Sequence, residues 1–300
     1  MNNILNSKYP IVAMAMNKVS DIPLARAVRR AGGVPSLSIF NYFTAPGYID
    51  HNFLEKALLA YRNEFDDMNL LLSIGIDQII DPRFSDLIVK HGVKFVELIP
   101  DTPGETEIIN EKFTQTKDAI VKVRNGGTLV FVKAHSPSDV LAYADGAIIK
   151  GADGAGRGNP EYTLEQLFDT IHEQFPDQKL IVSGGIGTSA DVKHYMDKGA
   201  IGVGIGTLFA ASEECRISTE TKLKMIKATS QDIQRMSQGA PQNALIFKEI
   251  EKDHFNNTKG LVVGITDPNA GGHVFAGTGI DHIKEILPVD VIIQDLVKDL

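Results

Sequence analysis

The sequence predicts an α/β fold, namely a (β/α)8 TIM barrel with a C-terminal helical addition. Eight short apolar runs alternate with amphipathic stretches over about 210 residues, which is the count and length of such a barrel. The runs are mostly apolar rather than alternating, which is typical of parallel strands covered on both faces. Glycine-rich turns follow the sixth, seventh and eighth runs. The alternative, a doubly wound open sheet, usually carries its phosphate loop after the first strand.

The eight predicted strands are short and follow one another regularly along the chain. They are Ile11–Met14, Val34–Ile39, Leu70–Ile74, Phe95–Ile99, Leu129–Val132, Ala147–Ile149, Leu180–Val182 and Gly202–Ile205. In a parallel barrel the carboxyl ends of all strands meet at one face, and the active site of this fold lies there. The residues that directly follow each run are therefore the candidates for a functional site.

Helix start and stop signals lie between the predicted strands, such as a capping Asp before a proline or a Gly after the last turn. They predict helices over Pro23–Arg30, from Asp81-Pro82 to about His91, and over Glu105–Arg124, Pro137–Ala142, Thr163–Phe175 and Ser189–Lys198. Each of these helices lies between two strands, as the crossover connection of parallel strands requires.

The alternation of strands and helices stops at about Cys215. The barrel is therefore assigned to residues 1–214, and residues 215–300 to an addition packed on it. Helices are predicted in this addition over Thr219–Met236, Asn243–Lys252 and Val289–Lys298, with a loop rich in Gly and Asn before the last.

Composition excludes several classes of function. The chain has 300 residues, of which 43% are apolar and 23% charged, and these are ordinary values for a globular protein. The net charge is −8 without a basic run, which argues against nucleic acid and anionic membranes as partners. The single cysteine, Cys215, allows no intrachain disulfide and favours a reducing cytoplasm. We expect no secretory signal and no membrane span, since a span needs about 18 consecutive apolar residues.

Two glycine-bearing turns predict a phosphate site. Ser183, Gly184 and Gly185 follow the seventh strand, while Gly206 and Thr207 follow the eighth strand and open a helix. Bare backbone amides and a helix N-terminus attract an anion, and the loops after strands seven and eight often bind phosphate in such barrels. The alternative is that these glycines only turn the chain.

Three further strand ends carry candidate residues. Lys150 ends the sixth strand and faces either a ligand or solvent. His135 follows the fifth strand, where it is either structural or a group that binds substrate or transfers a proton. Met16 and Asn17 follow the first strand, where small residues and methionine form either a flat bed for a ligand or ordinary core filling. No cluster of Cys and His with metal-ligand spacing occurs, so no metal is predicted. The loop before His273 leaves open whether that histidine folds back over the barrel mouth.

Four segments of the chain resemble nitronate monooxygenases, formerly called 2-nitropropane dioxygenases. They are Pro10–Gly33, Gly146–Gly158, Ile181–Cys215 and Phe275–Val297, and their order and spacing agree with that family over nearly the whole chain. The most specific is IVSGGIGTSADVKHYMDKGAIGVGIGTLFAASEEC. The flavin-type enoyl-acyl-carrier-protein reductases share the same pattern.

This resemblance implies an FMN-binding barrel. By matching position, Gly184, Gly185, Gly206 and Thr207 would hold the phosphate, and Met16 and Asn17 would lie by the isoalloxazine ring. Lys150 stands where the family usually has a glutamine near the ring. A cation there would stabilise the reduced, anionic form of the flavin.

The chain departs from the family pattern at the family's catalytic base, a histidine in the loop after strand six. The matching residue here is Arg157. Arginine stays protonated at neutral pH, but it can bind a carboxylate, nitronate or phosphate through two hydrogen bonds. Three interpretations stay open. Arg157 binds a substrate that arrives as an anion, or His135 takes over proton transfer, or Arg157 is a solvated loop residue and the reaction differs.

The first functional hypothesis is an FMN-dependent oxidoreductase of the nitronate monooxygenase type, which oxidises a small organic anion with O2 as acceptor. The second is an NAD(P)H-dependent enoyl-thioester reductase on the same FMN barrel. The third is a flavin- or phosphate-ligand-binding protein without turnover, which the missing histidine favours. A flavin-free barrel that acts on a sugar phosphate is a fourth. The expected partner is a small-molecule substrate, and NAD(P)H and a homodimer are left open.

Overall fold

The structure is a computed structural model that describes residues 4–45, 48–100, 112–236, 242–248 and 258–300. Eight parallel strands form one barrel, and they are called the first to eighth barrel strands below. They are Ile11–Ala13, Ser36–Ser38, Leu71–Gly75, Phe95–Ile99, Leu129–Ala134, Gly146–Lys150, Lys179–Ser183 and Gly202–Ile205. From the second strand onward each pairs with the next along the chain, and the eighth pairs with the first. A parallel bridge between Val12 and Val34 joins the first strand to the segment that enters the second. The predicted barrel is confirmed with all eight strands.

The barrel interior changes from apolar to polar along the strands. Five strands contribute one layer of fully buried apolar side chains, namely Leu71, Phe95, Phe131, Ile148 and Ile181. Side chains on one face of a strand recur every second residue, so the next interior position on each strand lies nearer the carboxyl end. Those positions hold Ser73, Glu97, Lys133, Lys150 and Ser183. The polar layer therefore lies at the end of the barrel where the site was predicted.

Helices connect the strands on the outside of the barrel. They are Ile22–Arg30, His51–Phe65, Ile76–Ile80, Pro82–His91, Phe113–Asn125, Leu164–Gln174 and Ser189–Asp197. Four of them confirm predicted helices within one residue at either end, and Phe113–Asn125 confirms the second part of the helix predicted over Glu105–Arg124. Residues 105–111 of that prediction lie outside the described residues. His51–Phe65, capped by Asp50, was not predicted.

The helix predicted over Pro137–Ala142 is wrong beyond its first turn. Only Pro137–Asp139 is helical, as a single 3-10 turn. The carboxylate of Asp139 accepts hydrogen bonds from the backbone N–H groups of His135 and Ser136, at 2.8 and 2.9 Å. This bonding fixes a tight turn at the end of the fifth strand instead of starting a longer helix.

The C-terminal addition is a mixture of helices and strands. It contains helices Thr219–Lys227, Thr258–Thr266 and Val289–Val297 and strands Ile233–Met236, Gln242–Lys248 and Gly272–Phe275. The three strands form an antiparallel sheet with Gln242–Lys248 in the middle. The helices predicted over Thr219–Met236 and Asn243–Lys252 are therefore wrong where these strands occur. Pairing with neighbours far along the chain outweighs a modest local helix preference. Residues 249–252 lie outside the described residues.

Short elements complete the described chain. They are the hairpin Phe43–Ala45 and Tyr48–Ile49, the strand Gly156–Arg157, the helix Thr207–Ala210 and the 3-10 turns Ile39–Tyr42, Ser230–Asp232 and Thr278–His282. The last helix, Val289–Val297, packs against the helices that follow the first and seventh strands. It thus takes the place of the eighth barrel helix. The division between residues 214 and 215 stays a prediction. Among the described residues, no helix combines the length and the hydrophobicity that a membrane span needs.

Candidate active site

A cavity of about 460 Å³ opens at the carboxyl ends of the barrel strands. All ten residues that the sequence nominated line it: Met16, Asn17, His135, Lys150, Arg157, Ser183, Gly184, Gly185, Gly206 and Thr207. The volume falls in the range of sites for small molecules and cofactors. The structure therefore brings the nominated residues together, while the role of each stays a prediction.

The loop after the sixth strand lies against the C-terminal addition. Its residues Gly156 and Arg157 form a short strand that pairs antiparallel with Asn243 and Gln242. The backbone at Gly156 has φ +68°, a conformation that favours glycine. Arg157 is an exposed residue and forms part of the cavity wall. The glycines of this loop therefore allow its backbone to run from the barrel to the added sheet.

Lys150 is a partly buried lysine without a carboxylate among its hydrogen-bond partners in the described part of the chain. Its Nζ donates to the carbonyl oxygen of Ala155. Its side chain runs between Gly154 and Gly184, where an added Cβ would lie 2.7 and 3.2 Å from Lys150 Cγ. Burial, and then the positive charge of Lys133, hold the pKa of Lys150 well below its ordinary value. An anion in the cavity would favour its protonated form.

Glu97 and Lys133 form an ion pair inside the barrel, with 2.6 Å between Lys133 Nζ and Glu97 Oε1. Glu97 is 1% exposed and Lys133 is 8% exposed, and both line the cavity. A buried ion pair is weak evidence for stability, because the cost of removing both charges from water can exceed their attraction. The sequence analysis did not nominate this pair. The available signal was a charged residue in the middle of the apolar strand Phe95–Ile99.

His135 is 6% exposed and lines the cavity. Its Nδ1 is buried and has no hydrogen-bond partner among the described residues. Burial, and then the charges of Lys150 and Lys133, hold the pKa of the His135 imidazole well below its ordinary value. His135 is therefore neutral at neutral pH. It is also a poor proton acceptor, since protonation would add another cation beside two lysines.

The turn after the first strand holds a buried, unsatisfied acceptor on a residue that lines the cavity. The backbone N–H of Met16 donates to Ser20 Oγ at 2.8 Å, which fixes the turn that follows. Asn17 Oδ1 is buried and lacks a hydrogen-bond partner among the described residues. Buried acceptors are normally paired, so a ligand with an N–H or O–H group would satisfy this one.

The glycines of the predicted phosphate site differ in what they are needed for. Gly184 and Gly185 have φ +96° and +80°, and both pack against other parts of the chain. A Cβ at Gly184 would lie 3.0 Å from Gly154 Cα, and one at Gly185 would lie 3.0 Å from Thr278 Oγ1. These two glycines are thus required by the turn itself. A Cβ at Gly206 would meet nothing closer than Met14 Cβ at 3.9 Å, so that position borders open space.

The C-terminal addition supplies part of the cavity wall that the sequence did not predict. Gln242, Leu261, Val274 and Phe275 line the cavity together with His273. His273 is 3% exposed, and burial lowers the pKa of its imidazole. The addition therefore covers the barrel mouth, which answers the question that the loop before His273 raised. Of these residues the sequence indicated only His273, and its pattern predicts a helix instead of the strand Gln242–Lys248.

Fold and site together define a class: a (β/α)8 barrel with a ligand-sized cavity, lined by several basic side chains, at the carboxyl ends of its strands. The model of the nitronate monooxygenase family matches residues 1–299. The chain thus belongs to the nitronate monooxygenase family of oxidoreductases, as the resemblance of its segments indicated.

Solved structures show the same fold. FabK from Thermotoga maritima superimposes with a TM-score of 0.80 at 23% identity, covering 99% of this chain and 94% of that chain. A nitroalkane oxidase from Streptomyces ansochromogenes gives a TM-score of 0.75 at 20% identity, covering 98% and 96%. A relative from Rhodococcus jostii (strain RHA1) is 21% identical over 272 residues, 87% of this chain and 70% of that protein. It is named (3aS,4S,5R,7aS)-5-hydroxy-7a-methyl-1-oxo-octahydro-1H-indene-4-carboxyl-CoA dehydrogenase.

Proposed function

We propose that this chain is an FMN-dependent oxidoreductase of the nitronate monooxygenase type. It would oxidise a small organic anion, such as an alkyl nitronate, with O2 as the acceptor. The observation that carries the proposal is the basic character of the cavity, whose described wall holds three basic side chains, Lys133, Lys150 and Arg157. Of the two acids in that wall, Glu97 bonds to Lys133, and Asp139 accepts from the backbone of His135 and Ser136. Such a cavity favours a negatively charged ligand.

The residues present also fit FMN. Gly206 borders open space, and the buried Asn17 Oδ1 has no hydrogen-bond partner among the described residues. Gly184, Gly185, Gly206 and Thr207, with Ser183 beside them, would hold the phosphate. Met16, Asn17 and Lys150 would lie by the ring. Bound FMN supplies two-electron transfer between an organic substrate and oxygen.

The protein's own groups select the protonation state of the substrate. Arg157 cannot accept a proton at neutral pH, and burial together with the nearby basic side chains makes His135 a poor acceptor. A substrate that arrives as an anion needs neither group as a base. Arg157 would bind that anion through its guanidinium, and Lys150 would gain its proton as the anion enters. Of the three interpretations of Arg157, this reasoning favours the first.

A second candidate is an NAD(P)H-dependent enoyl-thioester reductase. The apolar part of the cavity wall supports it, since Leu261, Val274 and Phe275 could contact an acyl chain. The name of the Rhodococcus relative, a carboxyl-CoA dehydrogenase, also points to a thioester substrate. A flavin-binding protein without turnover is the third, supported by the absence of the family's histidine at Arg157.

Anaerobic titration of the FMN-loaded protein separates these candidates. Propyl nitronate is added to one sample, neutral nitropropane to a second and NADPH to a third, and the visible absorption of oxidised flavin is followed. Bleaching by the nitronate, but much more slowly by nitropropane, is the expected result. Bleaching by NADPH alone, followed by recovery with an enoyl thioester, identifies the reductase. No bleaching in any sample identifies a binding protein.

A further inference from the structure

The loop that carries Arg157 is held from outside the barrel by the C-terminal addition. Strand Gly156–Arg157 pairs with the first two residues of strand Gln242–Lys248, with Gly156 opposite Asn243 and Arg157 opposite Gln242. Ala155, Gly156 and Arg157 form the cavity wall, and Asn243 lies behind them. The direction in which Arg157 points therefore depends on a contact made behind the wall.

One side chain strengthens this contact beyond the backbone pairing. Asn243 is 9% exposed, and its Nδ2 donates to the carbonyl oxygens of Ala152 and Gly154, at 2.7 and 2.9 Å. A carboxamide has two N–H donors, and both are used here on the same loop. An alanine at this position would leave two carbonyl groups without that donor.

Each backbone carbonyl of the loop from Ala152 to Ala155 accepts a hydrogen bond. The backbone N–H of Thr278 donates to Asp153 O at 3.0 Å, between the two carbonyls that Asn243 binds. The next carbonyl, that of Ala155, accepts from Lys150 Nζ. Four consecutive carbonyls are thus held, three by the C-terminal addition and one by the lysine of the cavity. Such bonding leaves the loop little freedom to reorient Arg157 or the acceptor of Lys150.

We propose that Asn243 is a positioning residue for the anion site, and that the C-terminal addition thereby sets the affinity of the cavity for its anionic substrate. Asn243 acts through the loop backbone: it fixes the path from Ala152 to Gly154, and this path fixes where Ala155 and Arg157 stand. This inference rests on the proposed function, because it requires Arg157 to bind the substrate anion.

A double-mutant cycle tests the proposal on the FMN-loaded, full-length protein. The variants are Asn243→Ala, Arg157→Ala and the two combined, and the dissociation constant of propyl nitronate is measured by anaerobic titration. Asn243→Ala is expected to weaken binding about tenfold or more, because a small displacement of a binding group is costly. In the Arg157→Ala background the same change should have a much smaller effect on nitronate binding, transmitted only through Ala155 and Lys150, while the lowering of Tm by Asn243→Ala should persist. A purely structural role would lower Tm without this coupling.

Two further variants serve as checks on the double-mutant cycle. Asn243→Ser keeps one donor and should give an intermediate dissociation constant even if the alanine variant folds poorly. Asn159→Ala is the matched control, because this Asn is on the same loop and, among the described residues, its Oδ1 accepts only from the nearby backbone N–H of Glu161, at 3.0 Å. It should leave nitronate binding unchanged.

Hydrogen exchange, measured on the protein without substrate, is a second test of whether Asn243 holds the loop. The amides of residues 154–157 should exchange faster in Asn243→Ala than in the unmodified protein. Equal weakening of nitronate binding by Asn243→Ala in both backgrounds, or unchanged exchange in the loop, overturns the positioning role. If Arg157→Ala alone leaves nitronate binding unchanged, the proposed function of Arg157 fails instead, and the exchange measurement still decides whether Asn243 holds the loop.

Discussion

Arg157 stands where the family carries a basic histidine, and this difference decides which form of a substrate the cavity can use. A guanidinium attracts an anion but removes no proton, and burial, and then Lys150 and Lys133, make His135 too weak a proton acceptor to compensate. The chemical consequence is a site suited to a substrate that is already deprotonated. Changing this one side chain should therefore change the substrate preference.

We expect Arg157→His to gain turnover of neutral nitropropane and to lose affinity for propyl nitronate. Position 157 is exposed, so a histidine there would escape the burial that makes His135 a poor acceptor, and it could accept the proton that arginine cannot. The measurement is kcat/KM for each form of the substrate, with Arg157→Gln as the matched control that has neither charge nor base. If the histidine and glutamine variants treat neutral nitropropane alike, the missing base does not account for the preference.

Lys150 gives a prediction for stability against pH. Burial, and then Lys133, lower its pKa in the folded protein, so the unfolded chain binds the proton more strongly. Between the lowered pKa and the ordinary value of about 10.4, the free energy of unfolding therefore falls as the pH falls. Without a bound anion, Lys150→Met should be more stable than the unmodified protein at pH 7. The difference should shrink as the pH approaches the ordinary lysine pKa.

Urea denaturation of both proteins across this pH range is the measurement. His135, whose pKa Lys150 lowers, is also held down by burial and stays neutral in both proteins at pH 7 and above, so the difference between the two curves isolates Lys150. A difference that stays constant with pH would show that Lys150 keeps its charge in the empty cavity.

The sequence located the site well where the position of a residue follows from the topology alone. Met16, His135, Lys150 and Ser183 each follow a strand, and strand ends of a barrel must converge. Predicting the ion pair of Glu97 and Lys133 requires, in addition, knowing which side chains of neighbouring strands face inward at the same level of the barrel. That information requires the register of the sheet, which a single sequence does not carry.

The turn after the seventh strand and the turn after the eighth use glycine for different physical reasons, and this difference can be tested. Gly184→Ala places a side chain at φ +96° and 3.0 Å from Gly154 Cα, so we expect a loss of about 1–2 kcal/mol or more in the free energy of unfolding. Gly206→Ala has an ordinary φ of −120° and a nearest neighbour at 3.9 Å, so its stability should change little. Its methyl group would enter the space where the phosphate is expected.

The measurements for this pair are Tm and the dissociation constant of FMN for each variant. Gly206→Ala should bind FMN more weakly at nearly unchanged Tm, whereas Gly184→Ala should lower Tm first. Unaltered FMN affinity in Gly206→Ala would mean that the phosphate does not bind at the start of the helix after strand eight.

Whole strands and helices were predicted well inside the barrel and poorly in the C-terminal addition, for a physical reason. Barrel strands are short apolar runs between clear helix caps, such as Asp21 and Thr188, whose side chains accept from the backbone of the next turn. Strand Gln242–Lys248 lacks such local signals and is stabilised by partners from three other parts of the chain. The helix predicted from the local sequence of these residues takes no account of those partners. His51–Phe65 was missed although Asp50 caps it.

The C-terminal addition packs on the barrel at two places, and these contacts affect how the molecule unfolds. Its antiparallel sheet covers the barrel mouth and supplies His273 and Phe275 to the cavity. Its last helix, Val289–Val297, lies between the helices that follow the first and seventh strands and completes the outer ring. An addition that both closes the ring and walls the site should not unfold separately from the barrel.

We therefore expect Ile293→Ala to lower the stability of the entire molecule in a single transition. Ile293 is 0% exposed, and its Cδ1 would lie 3.3 Å from a Cβ at Gly33 on the barrel side. Removing such a side chain costs about 2–5 kcal/mol. Val291→Ala, on the same helix but 43% exposed, is the matched control and should change the free energy of unfolding by about 0.5 kcal/mol or less. Urea denaturation followed by far-ultraviolet circular dichroism and by the fluorescence of bound FMN should give coincident curves for both variants. If residues 215–300 form an independent unit, the two probes will separate in Ile293→Ala, because the addition will unfold while the barrel still holds its ligand.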